Sequence, residues 1–262
     1  MAISVPGRRV TYFPAPKNAC TSLKLLFYEL CHGEPFVPGR SGNGAPHIHK
    51  VYDSPHFLSV PRASLGEHRR LVVVRDPVER FLSCYASRVI HHEELSSRHV
   101  DLELARKLDL EPDPPLGLFI KRLDEYRLVS PSIRHHTEPQ TYFFGHDLTY
   151  FTHVYRLRDL TLLANDLGEM LGREIIIPHE QTGGPKIPVG ALAERELMHV
   201  MKIYSGDYAL LHNYFSPETV LLAWTRDRRE GGTAPRPWTH AHPPSTTERG
   251  LDGAAEGDGR CD

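Results

Sequence analysis

Leu71-Val72-Val73-Val74-Arg75-Asp76-Pro77-Val78-Glu79-Arg80-Phe81 passes from an unbroken aliphatic run to a helix start within three residues. Four consecutive branched apolar side chains, with no polar alternation, are the pattern of a strand buried on both faces of a parallel sheet. Asp76 is an N-cap residue and Pro77 suits the first helical position, so a helix is predicted from about Val78 to Ile90.

The same strand-then-helix order recurs on either side. Upstream, Arg9-Val10-Thr11-Tyr12-Phe13 reads as a short strand closed by Pro14 and Pro16. Thr21 to Leu30 follows with apolar residues at Leu23, Leu26, Phe27 and Leu30, a helical spacing. Downstream, Leu116 to Tyr126 reads as a helix and His153-Val154-Tyr155-Arg156-Leu157 as another inner strand. Asp159 is placed to cap a helix reaching about Leu171, and a long helix is predicted from about Val189 to Tyr214. Repeated strand and helix predict an α/β fold, three-layer α/β/α with a mainly parallel central sheet. Residues 1–228 read as one domain. Residues 229–262 hold six Gly and four Pro, with Leu251 as the one large aliphatic side chain. Such a segment buries too little surface to offset its ordering entropy, so a disordered tail is expected.

Composition sets the function classes. The 262 residues carry 31 Lys+Arg against 33 Asp+Glu, a formal net charge of -2. A chain that coats nucleic acid or anionic membrane usually has a clear basic excess, so neither partner is expected. An anionic small molecule stays open, because it needs only a few placed cations. No apolar run has signal-peptide length or approaches a bilayer span, so no membrane segment is expected. Cys20, Cys31, Cys84 and Cys261 have no C-x-x-C spacing, which argues for reduced thiols and a cytoplasmic protein, with Cys31 and Cys84 as core residues.

Two segments carry chemistry. In Pro16-Lys17-Asn18-Ala19-Cys20-Thr21-Ser22, a strand, a tight turn and a helix start gather backbone N–H groups at a positive helix end, a geometry that binds phosphate or sulfate. Lys17 adds a cation, and Thr21 and Ser22 add hydroxyls. The glycines of a nucleotide-triphosphate P-loop are absent and the lysine precedes the hydroxyls by four residues, which disfavours a Walker-type phosphotransferase or NTPase. The plain alternative is that Thr21 or Ser22 caps a helix while Lys17 is solvated. In the second segment, Arg75 stands at the strand end where open α/β sheets bind ligands, and Ser83 follows about two helical turns later. A guanidinium fork and a hydroxyl so spaced can close on one phosphate. The alternative is an Arg75 paired with Asp76 or Glu79.

Taken together, P-K-x-A-C-T-S-L-K and R-D-P-x-E-R-F-L-S-x-Y resemble the 5′-phosphosulfate loop and the 3′-phosphate motif of the carbohydrate sulfotransferase branch, the sulfotransferase family 2 group, over residues 9 to about 215. The resemblance implies a P-loop-like phosphosulfate-binding loop and transfer of a sulfuryl group from 3′-phosphoadenosine-5′-phosphosulfate (PAPS) to a hydroxyl, with 3′-phosphoadenosine-5′-phosphate (PAP) as product and no metal. It implies that Lys17 contacts the 5′-phosphate and bridging oxygen, that Pro16, Asn18, Ala19, Cys20, Thr21 and Ser22 form the loop around that phosphate, and that Arg75 and Ser83 bind the 3′-phosphate. Lys186, in Gln181-Thr182-Gly183-Gly184-Pro185-Lys186, is a further phosphate contact, although an ordinary connection explains that loop equally well. A protein that holds the nucleotide without catalysis is the remaining alternative.

The acceptor hydroxyl must lose a proton, which calls for a group titrating near neutrality. His47-Ile48-His49, read as a strand, points both imidazoles to one face. The family's uronyl 2-O-sulfotransferases carry a similar H-x-H, which implies His49 as base with His47 second. His56 and the pair His135-His136, read as loop residues before Pro139, are further candidates. A surface histidine pair is the plain alternative, and no third and fourth ligand completes a metal site. Ile133-Arg134-His135-His136-Thr137-Glu138-Pro139-Gln140 is similar to an H-x-x-P-Q-like stretch that borders the acceptor cleft in the carbohydrate branch, which implies acceptor contacts from Arg134 and His136. The animal Golgi members have an N-terminal anchor and luminal disulfides, so a soluble relative of prokaryotic type is implied here. Its acceptor is a saccharide or another small-molecule hydroxyl. The sequence leaves its oligomeric state open.

Overall fold

A computed structural model describes residues 2–42, 44–180 and 183–231. Four strands form one sheet in the order β1 (Ile3–Ser4), β2 (Val10–Phe13), β3 (Arg69–Val74), β4 (His153–Arg156). β1, which the sequence reading did not anticipate, runs antiparallel to β2, while β2–β3 and β3–β4 are parallel. The mixed α/β class and the mainly parallel sheet are as expected.

Register follows from alternation along β3. Leu71 and Val73 join Tyr12, Tyr155 and the inner faces of α1 (Cys20–His32) and α9 (Leu160–Leu171), through Leu23, Phe27, Leu163 and Leu167. Val72 and Val74 join Phe13, Phe57, Phe143, Phe144 and Phe151 in a second cluster. All four β3 residues from Leu71 to Val74 are buried, as a run with no polar member requires.

The helices between the strands are mostly short: α2 (Ile48–Val51), α3 (Pro77–Cys84), α4 (Leu102–Lys107), α5 (Leu116–Lys121), α6 (Leu123–Val129), α7 (Pro131–Thr137) and α8 (Gln140–Phe144). After α9 come α10 (Glu194–Ile203), α11 (Ser205–Leu210) and α12 (Pro217–Gly231). The expected Leu116–Tyr126 helix is thus two, broken at Arg122, whose guanidinium bonds the carbonyl of Leu108. The long helix expected from Val189 to Tyr214 is a 3-10 turn followed by α10 and α11. The helix expected to end at Ile90 ends at Cys84, and Tyr85–His91 continues as a π-helix. Helix α12 runs to Gly231, and the remainder of the expected tail lies outside the described residues.

Two caps test the local reading. Asp76 Oδ1 accepts from the amides of Val78 and Glu79 at 2.9 and 3.1 Å, so this cap forms as expected. Asp159 precedes α9 but does not cap it, because its carboxylate is taken by Arg156 at 2.6 Å. Cys84 is buried, whereas Cys31 is only half-buried, with its thiol donating to the carbonyl of Ser4. Among the described residues no helix is long and apolar enough to cross a membrane.

Candidate functional site

Parallel pairing of β2 with β3 sends both following loops out of the same sheet edge, since Phe13 stands beside Val72. The two sequence motifs, more than fifty residues apart, therefore meet. Arg75 Nη1 donates to the carbonyl of Lys17 at 3.2 Å.

The first loop has an unusual backbone. Lys17 and Ala19 both adopt left-handed conformations, at φ 67° and 57°. For residues with a Cβ this costs energy and persists only where the surroundings impose it. Ala19 is the N-cap residue of α1, and no side chain caps that helix. The first amides of a thirteen-residue helix thus start from this turn without a capping side chain. Thr21 and Ser22, the alternative caps, face elsewhere: Thr21 Oγ1 lies 3.0 Å from His49 Nε2, and Ser22 Oγ accepts from the amide of Glu180 at 3.3 Å. Lys17 is not solvated either. It is 8 % exposed, and burial lowers its pKa to about 8. Cys20 is buried at the first turn.

Three residues that the sequence reading passed over impose this loop. Arg80, 1 % exposed, donates Nε to the carbonyl of Pro16 at 3.0 Å and Nη1 to that of Glu138 at 2.7 Å. Gln140, fully buried, accepts on Oε1 from Asn18 Nδ2 and from the amide of Arg75, and donates Nε2 to the carbonyl of Arg75. Asp207, also fully buried, accepts from the amides of Gln140 and Thr141 on its two oxygens. Asn18 itself spends Nδ2 on Gln140 and on the carbonyl of Val73, both at 2.8 Å. Its side chain is a pin, and its backbone amide turns back to the carbonyl of Ala15 at 3.4 Å. Arg80 lay inside the quoted motif, four residues past the cap, but nothing local signalled that it reaches back to Pro16.

Arg75 and Ser83 line a cleft of about 650 Å³ together with Glu79, Lys186 and the Gly183–Gly184 turn. Arg75 Nε is buried with no hydrogen-bond partner, and Glu79 stands 3.8 Å away as its ion-pair partner. Asp76, the other partner considered, is committed to its cap and to Tyr208 Oη. Gly184 has φ 112°, and a Cβ there would lie 2.4 Å from the carbonyl oxygen of Ala86. The loop therefore seats its main chain directly on the π-helix. Lys186 is exposed at the cleft wall.

The histidines are placed differently from the reading of a strand. His47 is extended, but it is the N-cap of α2, with its Nδ1 accepting from the amide of His49 at 3.2 Å. An imidazole spaced two residues from a free amide serves as a carboxylate cap would, and the strand gives way to a helix start. The two rings are nonetheless on one side, stacked at 4.9 Å. His49 bridges α1: its Nε2 meets Thr21, and its Nδ1 lies 3.0 Å from Lys24 Nζ. Burial, then the charge of Lys24, lowers the pKa of His49 to about 3, so it does not titrate near neutrality as the sequence reading expected of a base. His56 caps a 3-10 turn through Nδ1, with its ring edge-on to Tyr142 at 4.5 Å.

His135 and His136 lie on α7 rather than in a loop. Ser130 caps that helix and Pro131 opens it, a start signal the sequence contained. Burial lowers His135 to about 4 and holds His136 well below the ordinary range. His136 Nδ1 lies 2.8 Å from the carbonyl of Ser132. Arg134, by contrast, is exposed and pairs with Glu138 at 3.5 Å. Arg88, on the π-helix, is the cation that ties the area together. It pairs with Glu94 at 3.0 Å, keeps a buried Nε without a hydrogen-bond partner, and depresses Lys17, His47, His49, His135 and His136 alike. Among the described residues no group of three or more His, Cys, Asp or Glu is placed to hold a metal ion.

The left-handed Lys17 turn and the stacked imidazoles of His47 and His49 thus both adjoin the start of α1, with the charge of Arg88 acting on each. A family model described as the sulfotransferase family matches residues 3–214. No curated protein and no solved structure matches the chain. The chain belongs to the sulfotransferase family.

Proposed function

From that membership we propose that the chain is a PAPS-dependent O-sulfotransferase, in a three-layer P-loop-like fold, acting on a hydroxyl of a carbohydrate or other small molecule. The observation that carries this reading is the meeting of the two motifs: a buried Lys17 in a left-handed turn, with Arg75 donating to its carbonyl. A donor with a 5′-phosphosulfate and a separate 3′-phosphate needs two anion sites on one sheet edge, and the residues fit it. The cations are desolvated and Arg75 Nε lacks a hydrogen-bond partner, which suits oxygen-rich anions.

The donor supplies an activated sulfuryl group. Lys17 and the amides from Asn18 to Ser22 hold the 5′-phosphate and stabilise the charge that grows on it, while Arg75 and Ser83 hold the 3′-phosphate and Lys186 closes the cleft wall. Bound phosphate favours the charged form of Lys17, restoring the ammonium that burial weakens. His49 is neutral at neutral pH and takes the proton of the acceptor hydroxyl, with His47 stacked behind it. His136 and His135 border the acceptor, and Arg134 marks its outer rim. The proposed reaction calls on no metal.

Thermal unfolding with added nucleotide tests the reading. PAP is expected to stabilise the protein far more than ADP, which lacks the 3′-phosphate. Arg75→Ala should bring the two responses close together. Equal responses in the unmodified protein would exclude the two-phosphate site.

A further inference from the structure

Lys24 closes the first motif but has been given no part in holding phosphate, and it is buried beside the histidines at 1 % exposed. It lies one helical turn beyond Thr21 on α1, so both side chains leave the same face. Its Nζ lies 3.0 Å from His49 Nδ1 and donates to Ser54 Oγ at 3.1 Å. The opposite edge of the His49 ring meets the Thr21 hydroxyl at 3.0 Å. The result is a line: hydroxyl, imidazole, amine.

Resting on the sulfotransferase reading, we propose that Lys24 is a positioning residue and terminal proton acceptor that works through His49. In the reactive form Lys24 is an uncharged amine accepting Nδ1–H, so His49 Nε2 presents a lone pair at the place where the Thr21 hydroxyl now sits. The acceptor O–H bond breaks and its proton goes to Nε2. The acceptor oxygen forms the new O–S bond, and the S–O bond to the 5′-phosphate breaks with its electron pair left on the phosphate. The Nδ1 proton passes to Lys24 Nζ, so the imidazole ends neutral as its other tautomer and the charge ends on Lys24. Lys24 then returns the proton to solvent.

The division of labour suits the surroundings. Burial lowers Lys24 to about 8, far above His49 at about 3, so a proton entering the line settles on the amine. The groups facing the pair are Cys20 and Thr21 on α1, His47, Ser54, His135 on α7 and Arg88 on the π-helix. Their charges fall mainly on His49. Burial is the largest cause at both groups, but on His49 the charges of Lys24, His47, Arg88 and His135 add to it.

The test needs neither donor nor acceptor. Nitrogen-15 histidine spectra of the full chain, from about pH 6.5 to about 9.5, report each ring's tautomer, with His49→Gln assigning the signal. His49 is expected to stay neutral throughout and to switch from Nε2–H to Nδ1–H with a midpoint near 8, the value for Lys24. Lys24→Arg, which stays charged, should lock the Nε2–H form, and Lys24→Met should abolish the switch. A His49 that becomes imidazolium with an ordinary midpoint, or keeps one tautomer across the range, overturns the proposal, as does a switch that survives in Lys24→Met. The unmodified protein decides the matter even if both variants fail to fold. PAP stabilisation measured on the same sample keeps the two readings apart: loss of the PAP preference sinks the sulfotransferase, whereas loss of the tautomer switch sinks only the relay.

Discussion

The loop Pro16–Ala19 and the ring of His49 both adjoin the start of α1, and they are held in opposite ways. The loop is fixed from outside by Arg80, Gln140 and, behind it, Asp207, all but closed to solvent. His49 is fixed by partners that themselves titrate or rotate: Lys24 on one nitrogen and the Thr21 hydroxyl on the other. Buried, hydrogen-bonded polar groups define one geometry. Titratable partners permit two. On the proposed reading, the phosphate side is therefore built to hold still, and the base side to change protonation without moving its heavy atoms.

The largest effect should come from the cation of the loop. Lys17→Ala is expected to slow turnover, read as PAP released from PAPS, by about 10³-fold, in line with loss of one preorganised stabilising group. A loss under about tenfold would mean that the turn alone does the work. Next comes Arg80→Met, which leaves the carbonyls of Pro16 and Glu138 without their donor in a buried place. It should cost about 3 kcal/mol in urea unfolding and weaken PAP binding, while the tautomer of His49 stays as it was. If the histidine spectrum shifts too, the two sides are not separable.

A smaller effect lies in pH. Burial puts the free Lys17 near 8, and a bound phosphate raises that value. PAP affinity should thus be full below about 8 and fall above it by up to about tenfold per pH unit, with proton uptake on binding visible by calorimetry. Lys17→Arg should flatten the slope. Arg134→Ala should do least, under about 0.5 kcal/mol on stability and about twofold on rate, because an exposed ion pair contributes little. A large effect there would bring the rim into the acceptor site.

Sequence exposed the Lys17 turn and the Asp76 cap because their information is local. A β-branched run, an Asp-Pro cap and a lysine in a tight turn each state a backbone conformation within a few residues. The parallel pairing that joins the two motifs follows from the strand-helix alternation. The base side was legible only as a pair of histidines. Whether His47 starts a strand or caps a helix depends on where its ring finds an amide, and no periodicity over three residues decides that. Lys24 closed the quoted P-K-x-A-C-T-S-L-K segment without a role, since burial of a lysine depends on what packs over it. Gln140 and Asp207 were silent for the same reason, their partners being more than sixty residues away.

That distance has a consequence in time. Synthesis runs from the N-terminus at about 5–20 residues per second, so the Lys17 loop leaves the ribosome early. Its keystone does not: Gln140 has to be made, and Asp207, which orients it, comes later still. A growing chain thus carries the nucleotide motif for most of its synthesis without the brace that shapes it, and the first motif to be translated is among the last to become competent.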